Sequence, residues 1–449
     1  MKVRTWQNAL YFPGISVVIL WSITSYLDLA PVAARGLIQQ IRLYLLLGWL
    51  SLQLFNHWST ILQALRTPWL SFASLPQFYW LIYAFVAFLS ALSYSNGEGF
   101  WPAFYLVLWA MVIIFVSAAI TNQPPALRLL YIKRLWQFTL FVLALRLLIF
   151  LVCFIVAFDH AVNPVNLGPI TVFRIRSEGF YGALNANSVG YIGALLLMVA
   201  INRYVRTAPR QHFWLAVACL GIGALILGYS RTALVSLVMI GMIYLLLQRK
   251  FLWLVGVFLM VAILLTQFRV VPSYFMRGQT MTAFSSLNDR SYVWSSSWFA
   301  FLESPLTGYG YFAGERTALK ATLEHYYPDE IHLESSHNTF LAVLLGTGLV
   351  GFVPFIATLL LLGWRILWHF KSAHYYDHLY NLLAYEFLAL FLLLVFASLT
   401  LSSMIHIAIG IRNLPLLPLF VFAALPVARQ VETISALDNS QPLLSGKGI

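Results

Sequence analysis

The pair His337-Asn338 opens a long apolar run in which Gly346, Gly348 and Gly351 form a Gly-x-Gly-x-x-Gly pattern. The run directly follows 268–336, the one long polar stretch of an otherwise apolar chain. An imidazole at the mouth of an apolar helix, beside a basic loop, suits proton transfer at a substrate carried in lipid. A neutral histidine can take a proton from a hydroxyl, and a protonated one cannot. Ser335 and Ser336 are cap residues by type, which places His337 in the helix's first turn. Unpaired amides and the helix dipole there favour the uncharged ring. Glu330, His332 and Glu334 are candidate partners to orient it.

Cations that could meet a phosphate lie nearby in type, though scattered along the chain. Arg231 sits in the tight turn Gly228-Tyr229-Ser230-Arg231-Thr232, between two apolar runs. A charge at that depth is costly unless it is paired or faces an aqueous cavity. A phosphate is one such partner, and snorkelling to the interface is the plainer alternative. The segment from Arg174 and Arg176 through Glu178 to Asn185 and Asn187 combines guanidiniums with side-chain amides. It could bind a phosphate and sugar hydroxyls together. Equally, the asparagines could cap the next helix while Glu178 pairs with an arginine. Arginine outnumbers lysine among these residues, and its planar fork suits bidentate capture of phosphate.

The elements that must hold these groups are membrane helices. Hydrophobic residues make up 61% of the chain and charged ones only 9%, against about 25% charged in soluble domains. Apolar runs long enough to span a bilayer lie near 9–27, 38–56, 77–95, 101–121, 136–158, 182–202, 211–228, 232–248, 251–267, 337–363, 382–402 and 404–426. The expected fold is therefore an all-α polytopic membrane protein of about twelve spans, with one large loop subdomain between spans nine and ten. The first run lacks a small-residue cleavage site and reads as a span rather than a signal peptide. Cys153 and Cys219 lie inside spans without metal-ligand spacing and are expected to be small buried hydrophobes.

With the N-terminus placed in the cytoplasm, it, the inward connections and the tail together collect 15 of the 27 Lys and Arg residues. Loop after loop then obeys the positive-inside rule. Both termini are expected in the cytoplasm, and Arg174, Arg176, Arg231, Arg290 and His337 at the opposite face. Three zones follow: a scaffold over 1–158, a region over 159–428 that includes the loop 268–336, and a polar tail over 429–449 expected to be disordered.

Within the loop, Asn288-Asp289 reads as a helix cap. The run after it puts Arg290, Trp294, Trp298 and Phe301-Leu302 on one helical stripe, ended by Pro305 and Gly308-Tyr309-Gly310. A second amphipathic stretch runs from Glu315 to Tyr326, with Leu319 and Leu323 on one side. Both are expected to lie on or dip into the outer leaflet, or else to pack as a cap on the bundle. Arg146, Glu386, His406 and Arg412 are the ionisable groups within spans, and mutual pairing is the expected reason they are tolerated.

Taken together, His337, Asn338, Gly348 and Gly351 match the His, Asn/Ser/Gln, nine residues, Gly, two residues, Gly/Thr/Tyr pattern of the O-antigen ligase and polymerase superfamily. Asp289-Arg290 through Trp294, with Pro305 to Gly310, is similar to that superfamily's loop block. Ser230 to Leu234 resembles its arginine motif, with Val235 where the ligase form has Leu. The resemblance extends over roughly 170–365.

It implies an inverting, metal-independent and cofactor-free glycosyl transfer at the periplasmic face of a bacterial inner membrane. The implied donor is a glycan on undecaprenyl diphosphate, and the acceptor is lipid A-core or another glycan, with no nucleic acid involved. By position, His337 would be the general base, while Arg231 and Arg290 would stabilise the departing diphosphate. Arg174, Arg176, Asn187, Asn338 and Trp294 would bind substrate. Ligase, polymerase and a protein-glycosylating variant remain open at this point. A transporter of an anion or lipid-linked sugar is the competing class, and it predicts ionisable groups at mid-bilayer.

Overall fold

The computed structural model describes residues 75–93, 99–156, 162–167, 170–175, 186–206, 211–228, 230–267, 290–326, 335–373, 377–399 and 413–426, with a few positions between 44 and 51. The expected spans near 9–27 and 38–56 fall mostly or wholly outside them, as does the tail at 429–449. Arg176, Glu178, Asn185, Asp289, Glu330, His332, Glu334, His406 and Arg412 also lie outside the described residues.

The described elements are helices apart from one hairpin. In chain order they are α1 (Pro76–Ser93), α2 (Phe100–Thr121), α3 (Pro125–Val156), strands β1 (Val162–Leu167) and β2 (Ile170–Ile175), α4 (Ala186–Arg206), α5 (Gln211–Gly228), α6 (Arg231–Leu247) and α7 (Phe251–Gln267). Then come α8 (Arg290–Glu303), a π-helical turn (Gly314–Ala318), α9 (Leu319–Tyr326), α10 (Thr339–Ser372), α11 (His378–Ser398) and α12 (Leu416–Ala423). The expected runs from 77–95 to 382–402 coincide with α1 to α7, α10 and α11. Seven of these helices are long and apolar enough to cross a membrane. The antiparallel β1-β2 hairpin, with Asn163 opposite Arg174, is an addition to the expected all-α architecture.

One apolar core runs through α1 to α6 and α10 to α12. Small residues bring its helices close: an added Cβ at Gly193 of α4 would come within 2.8 Å of Ala224 Cβ on α5, and one at Gly221 within 2.8 Å of the Gly193 carbonyl. Lipid supplies no hydrophobic force between helices, so such close van der Waals seams do the joining. On the outer side of α5, Leu215, Ile222 and Ile226 are exposed, and so is Cys219. Cys219 is thus not the buried hydrophobe expected; it follows α5's outward stripe, where exposure means contact with lipid.

Glu386 of α11 carries a charge inside this core. Its carboxylate accepts from Arg203 Nε at 2.6 Å and Nη2 at 2.8 Å, and from Trp136 Nε1 at 2.5 Å. The Arg203 guanidinium also lies over the Trp214 ring, 4.8 Å from its centroid. The expected pairing of span-embedded charges holds for Glu386, with a partner at the end of α4 rather than with another residue of the expected set.

Candidate active site

The element that carries His337 is broken. At 34 residues, α10 as one rod would be about 51 Å long, well beyond a bilayer core of about 30 Å. It is not one rod: Gly348 has φ 57° and ψ −160°. Phe340 and Phe355 would sit about 22 Å apart along a continuous helix, yet their ring centroids are 6.0 Å apart. The arm Thr339–Thr347 therefore bends back at Gly348 toward the remainder. The expected straight span over 337–363 is corrected to an elbow, and residues 349–372 alone, about 36 Å long, are enough to cross.

The polar groups freed at the elbow are met by the loop after α8. Leu349 N donates to the Pro305 carbonyl at 2.8 Å and Val350 N to the Leu306 carbonyl at 3.1 Å. In return Tyr309 N donates to the Leu345 carbonyl at 2.7 Å. From the other side Ser90 Oγ of α1 donates to the Gly346 carbonyl at 2.8 Å. Unpaired backbone in such a place is costly, and this seam removes the cost. It also demands glycine. A Cβ at Gly348 would be 2.3 Å from the Leu306 carbonyl group, and one at Gly308 would be 2.5 Å from the Leu345 oxygen.

Around the histidine, cap chemistry differs from expectation. Asn338, not a serine, is the N-cap: its Oδ1 accepts from Phe340 N at 2.9 Å and Leu341 N at 3.3 Å. His337 stands one residue outside the helix, with φ 48°. That left-handed backbone costs a non-glycine residue about 1–3 kcal/mol and recurs at functional sites. Two serines hold the turn. Ser335 Oγ accepts from His337 N at 3.3 Å, and Ser336 Oγ donates to the Asn338 carbonyl at 3.0 Å.

Helix α8 lies beside this turn. Trp294 Nε1 donates to the Ser336 carbonyl at 3.0 Å, while Val293, Ala300 and Phe301 pack with Leu319, Leu323, Leu344 and Leu345. The expected stripe is thereby split: Phe301 turns inward and Trp298 and Leu302 turn outward. Arg290, at the first position of α8, acts electrostatically on His337. Burial pushes the His337 imidazole below the ordinary histidine range, and the Arg290 cation pushes it the same way. Burial likewise lowers the Arg290 guanidinium from its usual value. Both effects favour the uncharged form of this half-buried imidazole.

The sequence-predicted residues divide into two groups. His337, Asn338, Trp294 and Arg290 are drawn together by the bonds and charges above. Arg231 and Asn187 belong to a second group. An added Cβ at Gly190 of α4 would meet Ser230 Cβ at 2.4 Å, so the first turn of α4, which holds Asn187, lies against the N-cap of α6, which begins at Arg231. Strand β2, which carries Arg174, packs near α5. Two predicted binding residues already have internal duties: Asn338 caps α10, and Trp294 ties α8 to the turn. Ser90 escaped sequence reasoning, and Gly308-Tyr309-Gly310 was read as a turn without its bonds to the arm of α10.

Residues 215–356 match the model of the family described as O-Antigen ligase. Over this segment the chain is similar to the O-antigen ligases. The match begins in α5 and ends just past the elbow, so the matched segment contains Arg231, Arg290, Trp294, His337, Asn338 and Gly348. Arg174, Arg176 and Asn187 precede it. No curated protein matches the chain.

Proposed function

We propose that this multi-pass membrane protein is a glycosyltransferase of the O-antigen ligase or polymerase type. It moves a glycan from undecaprenyl diphosphate to an acceptor hydroxyl, on lipid A-core or on another glycan, at the periplasmic face of a bacterial inner membrane. The observation that carries this reading is that His337, at the mouth of α10, is tied through the Ser336 carbonyl to Trp294 of the helix that begins at Arg290, all within the matched segment.

In the proposed step a free ring nitrogen of His337 takes the acceptor's hydroxyl proton. The acceptor oxygen forms a bond to the anomeric carbon from the face opposite the diphosphate. The carbon–oxygen bond to the diphosphate breaks, and the bonding pair leaves with the phosphate oxygen. One inversion results. Arg290, and Arg231 from the second group, stabilise the negative charge that grows on the leaving group, where fixed cations contribute most. Arg174, Arg176 and Asn187 bind donor phosphate or sugar.

A transport reading predicts ionisable groups at mid-bilayer and broken helices in matching halves of the chain. What favours the enzyme is that Arg290, Trp294, His337 and Asn338 gather at one end of α10 within the matched segment. The test supplies purified protein with undecaprenyl-diphosphate glycan and either lipid A-core or further donor. Product in one mixture, unchanged by EDTA and with inverted anomeric configuration, is the expected outcome. No product in either mixture, with donor consumed by neither, overturns the reading.

A further inference from the structure

Helix α8 has two apolar faces, and among the described residues one is closed by packing while the other stays largely exposed. Its inward face, Val293, Ala300 and Phe301, is closed by α9 and the arm of α10. Its outward face presents Trp298 at 48% exposure, Phe299 at 43% and Leu302 at 55%. Ser295 lies among them, but its hydroxyl donates to the Ser291 carbonyl at 3.0 Å, so its polar group is already satisfied. On a helix outside the spans, a contiguous strip of large apolar side chains marks a partner surface.

The identity of the partner follows from what the strip joins. Past α8 it continues through Leu306, 64% exposed, whose carbonyl accepts from Val350 N. Val350 and Val353 are exposed on the flank of α10 that a membrane span turns to lipid. Exposed apolar side chains thus run from the flank of α10 through Leu306 to α8, with the Glu303 carboxylate at their edge accepting from the Tyr309 hydroxyl at 2.9 Å. The expectation that both loop helices enter the leaflet is narrowed: α9 has spent Leu319 and Leu323 on the interior, and only Tyr326 joins the outer strip, its ring 5.4 Å from Phe299.

We infer that α8 lies in the interfacial layer of the leaflet on the His337 side, with the Trp298-Phe299-Leu302 face among the acyl chains of bilayer lipid. Aromatic residues on one face of a helix in the plane of the interface are the arrangement such burial favours. Arg290, in the first turn of the same helix, is thereby held near the depth of lipid phosphates. The inference stands without the catalytic reading, although it would explain how a cation reaches a lipid-borne diphosphate.

The test uses the full chain with Cys153→Ala and Cys219→Ala, reconstituted in nanodiscs of phosphatidylethanolamine and phosphatidylglycerol. Nitroxide labels are placed singly by Phe299→Cys, Leu302→Cys and, as an exposed control on α9, Lys320→Cys. Power saturation by oxygen and by a water-soluble nickel chelate then reads the surroundings. Labels at 299 and 302 are expected to favour oxygen severalfold over the control at 320. Preference for the chelate at 299 and 302 would mean a water-facing helix and would overturn the inference. Protection from both reagents would mean a protein cover, such as a second copy, and would overturn it equally. Neither reading depends on turnover.

Discussion

The Trp294 indole is bonded through Nε1 to the carbonyl of Ser336, the residue immediately before His337. Together with the Pro305, Leu306 and Tyr309 bonds at the elbow, this ties α8 to α10 at two points. The relative position of Arg290 and His337 is set by that double attachment. Trp294→Phe keeps an aromatic ring but removes the N–H and half of the indole bicycle, so it should cost at least about 0.5–1.5 kcal/mol of local stability. Its kinetic signature is a fall in kcat with KM little changed, measured in the glycan-transfer assay; equal losses in both would place Trp294 on substrate instead.

Removal of the proposed base should be severe. His337→Ala is expected to lower turnover by about 10²–10⁴-fold, the usual contribution of a positioned acid or base, with folding checked by gel filtration. Wild-type rates in this variant would exclude the role.

The pH dependence has a definite sign. Because burial and Arg290 both hold the His337 pKa down, the ring stays unprotonated below its ordinary pKa of about 6.5. Activity should therefore persist as pH falls through that value and fail only below it. Arg290→Gln removes one of the two causes, so the acid limb of the normalised kcat/KM profile should move to higher pH even as total activity drops. A limb that stays in place would separate the two residues.

At the elbow, Gly348→Ala puts a methyl group against the Leu306 backbone and forces a left-handed, extended conformation on alanine. A loss of at least about 1–3 kcal/mol is expected. It is read as a lowered thermal midpoint in detergent, with Gly256→Ala as a control, since an added Cβ there meets nothing.

For the buried ion pair, Arg203→Met or Glu386→Leu alone should cost about 3–5 kcal/mol by stranding the other partner. The double variant Arg203→Met/Glu386→Leu should cost less than either single change. Thermal midpoints across the four proteins test this directly, and simple additivity would contradict it.

Much of this architecture was legible because apolar run length speaks directly: α1 to α7, α10 and α11 fall where long hydrophobic stretches place them. His337, Arg290 and Arg231 stood out in the sequence for a different reason, as charges and a titratable ring at the edges of apolar segments, and their proposed roles await the variants above. The elbow was not. Gly346 to Gly351 reads as small residues in a helix, and the partner strands of backbone that break it, around Pro305 and Tyr309, lie about 40 positions away. The Ser90 bond to Gly346 spans 256 positions, beyond any local pattern. The choice of Asn338 over the two serines as cap was also hidden, because all three residues have the right chemistry and only φ at His337 decides between them.

The backbone seam between 305–309 and 345–350 has a bearing on how segments of this protein could be exchanged. A loop grafted from a relative with cut points just after α8 and just before His337 would keep its own tertiary shape while losing the registered peptide groups that the recipient helix relies on. The transplantable module is instead the loop with its helix through Gly351, moved as one piece.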